Sequence, residues 1–292
     1  RFRTENIISL HKNVLIRVKW FKDKEQLGYN YVYTLAGESD GWILASDKIK
    51  AVPGSTTAEL SLEFRWSTGT VWWDDISFEA CPEDPPRKIK VGTFYFRPPG
   101  PTVEKNIALM SEMLDRAGRE GCTIVCLPEG WTTCNTGLGM QKTESNTLGG
   151  SASVMMSGKA KQFGMYIVSG LYSWKGDTLK NVAVLYDRQG KIAGIYEKVQ
   201  LPDSETEAGA VPGNTFPVFT TDFGKIGILI CWDSAFPEIS RILAVNGAEI
   251  LFCPIAGDVR GSDSWKITAR SRAMDNGVYF VTNIFDGHSV IV

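Results

Sequence analysis

The sequence predicts an α/β fold, a sheet covered by helices, preceded by a small antiparallel β-sandwich. Three observations carry this. Hydrophobicity of period two runs from Arg1 to about Cys81, a proline-rich break follows, and beyond Ile89 apolar strand-like runs alternate with segments of helical period. At 292 residues the chain is also about twice the ~150 residues of an ordinary domain, which leaves room for two units.

The elements follow in order. Over residues 58–66, Leu60, Leu62, Phe64 and Trp66 alternate with Glu59, Ser61, Glu63 and Arg65, as in a strand with one wet face, and Val14, Ile16, Val18 and Trp20 repeat the pattern. Turn signals, GESDG and VPGST, separate such runs at the spacing of an antiparallel sandwich, and no long helix interrupts them. The stretch CPEDPPRK (residues 81–88) carries prolines that remove backbone donors and force extended conformations, so it reads as a linker between a unit at 1–83 and one at 88–292. The second unit opens with KIKVGTFYF, a helical run from Val103 to Gly118, and CTIVCLPE. FGMYIVSGLY, LKNVAVLYD, KIAGIYEK and GKIGILICW follow, then a helix near Phe236–Asn246, AEILFCP, a helix from about Ser264 to Asn276, and VYFVTNIF. The sequence stops inside strand-like HSVIV, so the C-terminus of this unit is expected to be incomplete.

Composition narrows the function. Hydrophobic residues make up 43% and charged residues 22%, near the globular average, and nothing approaches the roughly 18 unbroken apolar residues of a membrane helix. Lys plus Arg total 31 against 33 Asp plus Glu, a net charge of −2, with no basic run suited to a phosphate backbone, so neither membrane nor nucleic acid is expected as a partner. His11 and His288 are the only histidines, which argues against a multi-histidine metal site and against Ser-His-Asp or Cys-His catalysis. No metal or other cofactor is expected, and a nucleophile here must lean on a carboxylate. The chain begins at Arg1, which leaves a leader peptide undecided. The compartment stays open too: a free catalytic thiol suits reducing cytosol, and a sugar-binding-like appendage suits export.

Three polar residues stand at the ends of apolar strand-like runs: Glu129 after TIVCLP, Lys198 after AGIYE and Cys231 after KIGILI. Strand ends of an α/β sheet gather on one edge, so residues far apart in sequence can meet in one pocket. Each type has a task in acyl transfer. Cys231 is the nucleophile, at a strand-to-helix turn whose N–H groups can stabilise developing charge. Glu129 is the general base, and Lys198 holds the oxyanion and favours thiolate formation. Cys81, Cys122, Cys126, Cys134 and Cys253 lack metal-ligand spacing and read as inert thiols. Met155 and Met156 read as helix packing, and the glycines of NTLGGSASVMMSG as a helix-entry loop, since no Walker lysine follows.

CLPEGW, YEKVQLP, GILICWDSAFPE and GAEILFCP, in that order, together resemble the carbon-nitrogen hydrolase family, or nitrilase superfamily, from about Ile89 to the last residue. The resemblance implies an αββα sandwich and hydrolysis of a non-peptide C–N bond through a thioester, with Glu129, Lys198 and Cys231 as the Glu-Lys-Cys triad. It implies a second glutamate before a PG turn, for which SETEAGAVPG offers Glu207 ahead of Glu205, oriented toward Lys198 and substrate. Trp232 and Asp233 would border the site, and Pro237, Glu238 and ARSRAMDNG would support it. Asp233 stands where nitrilases usually carry Glu, so the resemblance favours an amide or N-carbamoyl amide substrate over a nitrile. It further implies a homo-oligomer, a dimer extending to a spiral or filament, and leaves as the rival reading a non-catalytic binding or filament-forming protein on the same fold.

In the first unit, GTVWWDDISFEAC resembles the last strand of carbohydrate-binding-module or galactose-binding-like sandwiches, which implies a glycan partner. Alternation forbids Trp72 and Trp73 from both facing inward, so one of them is the candidate stacking platform, with core packing as the more common use of such residues.

Overall fold

The computed structural model describes residues 1–37, 39–83, 85–94, 97–257, 262–285 and 289–292. Contacts divide the chain into two units, Arg1–Pro86 and Arg87–Val292. Among the described residues no helix is long and apolar enough to cross a membrane.

The first unit follows its period-two pattern. It contains β1 (Phe2–Glu5), a single turn α1 (Leu10–Asn13), β2 (Val14–Lys22), β3 (Glu25–Tyr31), β4 (Leu35–Gly37), β5 (Ile43–Ala45), β6 (Thr57–Phe64) and β7 (Thr70–Trp73). The strands form two antiparallel sheets, ordered β4-β5-β1-β7 and β3-β2-β6. Val18 lies opposite Leu60 and Asn30, and Val14, Val18 and Trp20 are buried on one face, as alternation demands. Of the tryptophan pair, Trp73 packs on Phe2 with ring centroids 5.4 Å apart, and Trp72 is exposed with the Arg3 guanidinium 4.7 Å from its ring centroid. Trp66 departs from the predicted pattern. β6 ends at Phe64, and Trp66 takes φ +54°, which carries its indole out to 80% exposure rather than onto the Leu60–Phe64 face.

The second unit contains β8 (Val91–Thr93), α2 (Val103–Arg119), β9 (Ile124–Cys126), α3 (Ser151–Phe163), β10 (Tyr166–Lys175), β11 (Thr178–Tyr186), β12 (Ile192–Glu197), α4 (Asp203–Glu207), β13 (Val218–Thr221), β14 (Gly224–Ile228), α5 (Pro237–Val245), β15 (Ile250–Ile255), α6 (Ser262–Asn276) and β16 (Tyr279–Ile284). These build two sheets, β12-β11-β10-β9-β8 and β13-β14-β15-β16. β8, β9 and β10 run parallel, as do β14, β15 and β16. The two successive antiparallel pairings of β10 with β11 and β11 with β12 return β12 to the direction of β9.

Strand periodicity explains why there are two sheets rather than one. Side chains alternate between two apolar environments, so both faces of each sheet are dry. Ile124, Val168, Leu185 and Tyr196 meet Ile226, Ile228, Phe252 and Val281 between the sheets. On the outer face of the first sheet Val125, Ile167, Val182 and Val184 receive Met110, Leu114, Met156 and Ala160 from α2 and α3. On the outer face of the second, Leu251, Cys253, Ile255 and Phe280 receive Ile239, Leu243, Trp265 and Ala269 from α5 and α6. The result is a four-layer α-β-β-α sandwich. At roughly 1.5–3 kcal/mol for each large apolar side chain buried, these three clusters dominate the unit's stability. Local signals fix the helix ends: Thr102 accepts from the Lys105 N–H at the start of α2, and Pro237 occupies the first position of α5.

Candidate active site

The strand ends carry the polar residues. Glu129 lies three residues past β9, Lys198 directly follows β12, and Cys231 lies three residues past β14. β9 and β12 belong to one sheet and β14 to the other, so both sheets contribute. The turn at Glu129 is held by the Gly130 N–H donating to the Gly170 carbonyl at 3.1 Å, with Gly130 at φ +59°. Gly170 is required there, because a Cβ at that position would stand 2.7 Å from Glu129 Cα.

Glu129 and Lys198 are buried, each only 1% exposed, and lie within a closed network. Lys198 Nζ donates to Glu129 Oε1 at 2.8 Å and to Glu205 Oε1 at 2.6 Å. Asn181 Nδ2 donates to the same two oxygens at 2.6 and 3.0 Å. The Ala256 N–H donates to the other Glu129 oxygen, Oε2, at 2.9 Å. The Cys231 thiol lies within the electrostatic reach of both the Glu129 carboxylate and the Lys198 ammonium. Cys231 opens a 3-10 turn over Cys231–Ala235 with φ +44°, a left-handed backbone that a side chain adopts at a cost and that recurs at functional sites.

Charge count explains the ionisation. Burial by itself would raise Glu129, but the Lys198 ammonium and the donors from Lys198, Asn181 and Ala256 hold it below the usual carboxylate range. Burial would lower Lys198, and the charges of Glu129, Cys231 and Glu205 overcome that and raise it. Two carboxylates then share one ammonium. Burial, together with the Glu129 charge, pushes Glu205 up to about 7 despite Lys198. Burial and the Glu129 charge also raise the Cys231 thiol, with Lys198 offsetting only part of this. The Lys198 charge does draw the thiol toward thiolate, but burial and the Glu129 charge outweigh it.

The two candidates for the second glutamate are placed differently. Glu205 is buried against Lys198, whereas Glu207, two residues on at the last position of α4, is exposed and faces away. On so short a helix a step of two residues is about half a turn, which puts the two side chains on opposite faces. Asp233 is fully buried and pins the turn: its carboxylate accepts from the Ile230 and Gln200 N–H groups at 2.9 and 2.8 Å and from the Tyr196 hydroxyl at 2.8 Å. Trp232 is partly exposed, with its ring 6.4 Å from that of Phe236. Arg272, within ARSRAMDNG, donates to the Ser234 and Ala235 carbonyls at 3.2 and 3.3 Å and so braces the same turn from α6.

Asn181, Tyr196 and the Ala256 N–H were not anticipated from sequence. Asn181 had a signal, a lone amide inside the apolar run NVAVLY, and its carbonyl accepts from the Lys198 N–H at 2.9 Å across the β11–β12 ladder. Tyr172 is another addition: burial and the charges of Glu129 and Glu205 hold its hydroxyl strongly protonated. Of the other cysteines, Cys81 is exposed, Cys122 and Cys134 are partly buried, and Cys126 and Cys253 are buried, and none of them forms a disulfide. His288 lies outside the described residues. Among the described residues no cluster of three or more His, Cys, Asp or Glu is arranged to hold a metal ion.

The carbon-nitrogen hydrolase family profile matches residues 97–292. Among curated relatives, a probable nitrilase of Schizosaccharomyces pombe is 35% identical over 40% of this chain and 46% of its own length. The N-carbamoylputrescine amidase of Solanum tuberosum is 30% identical over 65% of this chain and 68% of its own. A deaminated glutathione amidase of Synechocystis sp. is 32% identical over 62% and 72%. The chain thus spans about half of the first relative and about two thirds or somewhat more of the other two. Among solved structures, the amidase of Nesterenkonia sp. AN1 superposes with TM-score 0.61 and 26% identity, covering 69% of this chain and 83% of that one. In a mutant of that amidase, acrylamide has added to the active-site cysteine. Nit3 of Saccharomyces cerevisiae, a nitrilase-superfamily member, superposes with TM-score 0.64 and 27% identity, covering 70% and 82%. With a matched region of this extent and the nitrilase-type sandwich in place, the chain belongs to the carbon-nitrogen hydrolase family.

Proposed function

We propose that the chain hydrolyses a small linear amide or N-carbamoyl amide, releasing ammonia or an amine, through a thioester on Cys231. The observation that carries this is the single buried carboxylate, Glu129, bound to Lys198 and acting on the Cys231 thiol. The thiol rests protonated, so attack and deprotonation occur together: sulfur adds to the carbonyl carbon as its proton passes to Glu129. The oxyanion is held by Lys198, whose ammonium has three donors, two of them committed to Glu129 and Glu205. Protonated Glu129 then gives its proton to the leaving nitrogen as the C–N bond breaks. In the second half, water adds to the thioester while Glu129 takes its proton, and the acid departs as the proton returns to sulfur.

Glu205 and Asn181 hold Lys198 and Glu129 in register. Glu205 Oε2 and Asn181 Oδ1 are buried acceptors without a protein partner among the described residues, which supports a substrate bearing N–H donors and thus an amide over a nitrile. Acting on N-carbamoylputrescine or deaminated glutathione belongs to the relatives' names and points only to the same chemical class here. Screening small amides, carbamoyl amines and nitriles for ammonia release tests the reading. A burst of amine ahead of acid supports the thioester. Parent-rate turnover by a Cys231→Ala variant, or failure of iodoacetamide to modify that thiol, overturns it.

Pairing of copies is part of the same reading. α5 and α6 expose Ile242, Val245, Ile267 and Met274, a set of apolar side chains that supports a homo-oligomer, and light scattering on the purified chain checks it. Glycan binding by the first unit completes the proposal, supported by its surplus of exposed aromatic rings.

A further inference from the structure

Resting on that glycan reading, we propose that the first unit binds one soluble saccharide chain in the groove built around Trp66, Tyr31 and Tyr33, and not at Trp72 or Trp73. Two independent features meet there. The first is a ladder of tyrosines. Tyr29 and Tyr31 on β3 and Tyr33 just beyond it share the side of the sheet opposite the Val18–Trp20 core, with successive ring centroids 5.5 Å apart. Tyr29 is 52% and Tyr33 69% exposed, where a water-facing strand has no packing need for aromatic rings.

The second feature is Trp66. Strand parity would place it on the side of Phe64, which is 38% exposed, yet φ +54° carries it out to 80%, and Ser9, also lining the groove, has φ +57°. Left-handed backbone is unfavourable for residues with a β-carbon, and its retention at an exposed indole is the kind of strain that function keeps. Ser9, His11, Lys12, Tyr31, Tyr33 and Trp66 contribute to the lining of this open groove of about 1130 Å³.

The chemistry selects a sugar. A pyranose offers an apolar C–H face and a rim of hydroxyls, which calls for aromatic rings spaced by about one sugar unit with hydrogen-bonding groups between them. The ladder gives that spacing, and Ser9, His11, Lys12 and Thr68 give the polar rim. The flanking charges are already paired, Arg17 and Arg65 with Glu63 and Lys19 with Glu59, so the face lacks the field that would steer a highly charged partner. Neighbouring rings are inclined by 76° and 48°, a twisted platform that suits a single chain in solution over a flat crystalline surface. Trp72 is the poorer platform: it is 37% exposed against 80% for Trp66, and the Arg3 guanidinium stands 4.7 Å from its ring centroid where Arg65 stands 5.6 Å from that of Trp66.

The full-length protein is titrated, by calorimetry and tryptophan fluorescence, with soluble gluco-, xylo- and manno-oligosaccharides and with oligogalacturonate at two salt concentrations, beside a pull-down on microcrystalline cellulose. At least one soluble chain is expected to bind, at least tenfold more weakly to Trp66→Gly and Tyr33→Ala and unchanged to Trp72→Ala. Trp66→Gly suits the left-handed backbone, so loss of binding with an unchanged melting curve reports the ring. Salt-sensitive preference for the uronate over the neutral chains overturns the reading of a face without a steering field. Binding lost in Trp72→Ala but kept in Trp66→Gly overturns the groove while sparing the glycan reading. Binding to cellulose alone overturns the single-chain assignment, and no binding to any saccharide overturns groove and glycan reading together.

Discussion

At the triad, Glu129, Asn181, Lys198 and Glu205 are out of water, each held by its neighbours. At the groove of the first unit, Tyr29, Tyr33 and Trp66 stand in water, positioned by strand register and by one strained φ. A buried charge is tolerable only with a partner, so removing one member of the first set exposes the cost of the others. An exposed ring costs little to keep or to lose. The first site is therefore expected to be fragile and cooperative, and the second tolerant.

Replacement of the nucleophile sharpens this most. Cys231→Ala is expected to lower amide turnover by on the order of 10³-fold or more, measured as ammonia release, with no loss of folded protein. Lys198→Ala leaves two buried carboxylates facing each other and is expected to cost about 3–5 kcal/mol, read from urea unfolding of the full chain. If it unfolded at the parent's midpoint, the interdependence claimed for the network would be broken.

The two glutamates give a contrast within one short helix. Glu205 has its proton held to about pH 7, against 4.5 for the free side chain, because burial disfavours its charge. Its contribution to stability is thus complete below about pH 4.5, is lost as pH rises to about 7, and is level beyond. Glu205→Gln removes that decline from the melting temperature and removes an inflection near pH 7 from the activity profile. Glu207→Gln, on the exposed face, changes neither.

Smaller effects test the packing. Gly170→Ala forces a methyl against Glu129 Cα and is expected to destabilise by about 1–3 kcal/mol while lowering turnover by moving the carboxylate. In the first unit the sign reverses. Trp66→Gly relieves a left-handed conformation costing about 1–2 kcal/mol and is expected to leave the melting temperature level or slightly raised. A clear fall in that temperature would make Trp66 a packing residue and dissolve the contrast between the two sites.

Legibility followed the same division. Strands and helices of the second unit could be read because both environments of each strand are apolar and helical runs such as Met110, Leu114 and Ala117 keep their period. Glu129, Lys198 and Cys231 stood out because a charged or nucleophilic side chain ending an apolar strand needs a reason. Choosing between Glu205 and Glu207 was beyond local pattern, since both occupy one polar pentapeptide and only the direction of α4 buries one of them. Trp66 misled for a related reason: alternation predicts a face only while the strand continues, and a single left-handed φ ends it.

The order of residues alone determined which segments become strands and helices, and which thiol, acid and amine terminate strands. Those properties depend on neighbours a few positions away. Tertiary structure decided that two sheets rather than one supply the site, that Glu205 and Asn181 close the network, and that burial and the Glu129 charge outweigh the pull of Lys198 on the thiol. Electrostatic free energy depends on distance and burial in space, and neither quantity exists until the layers have met.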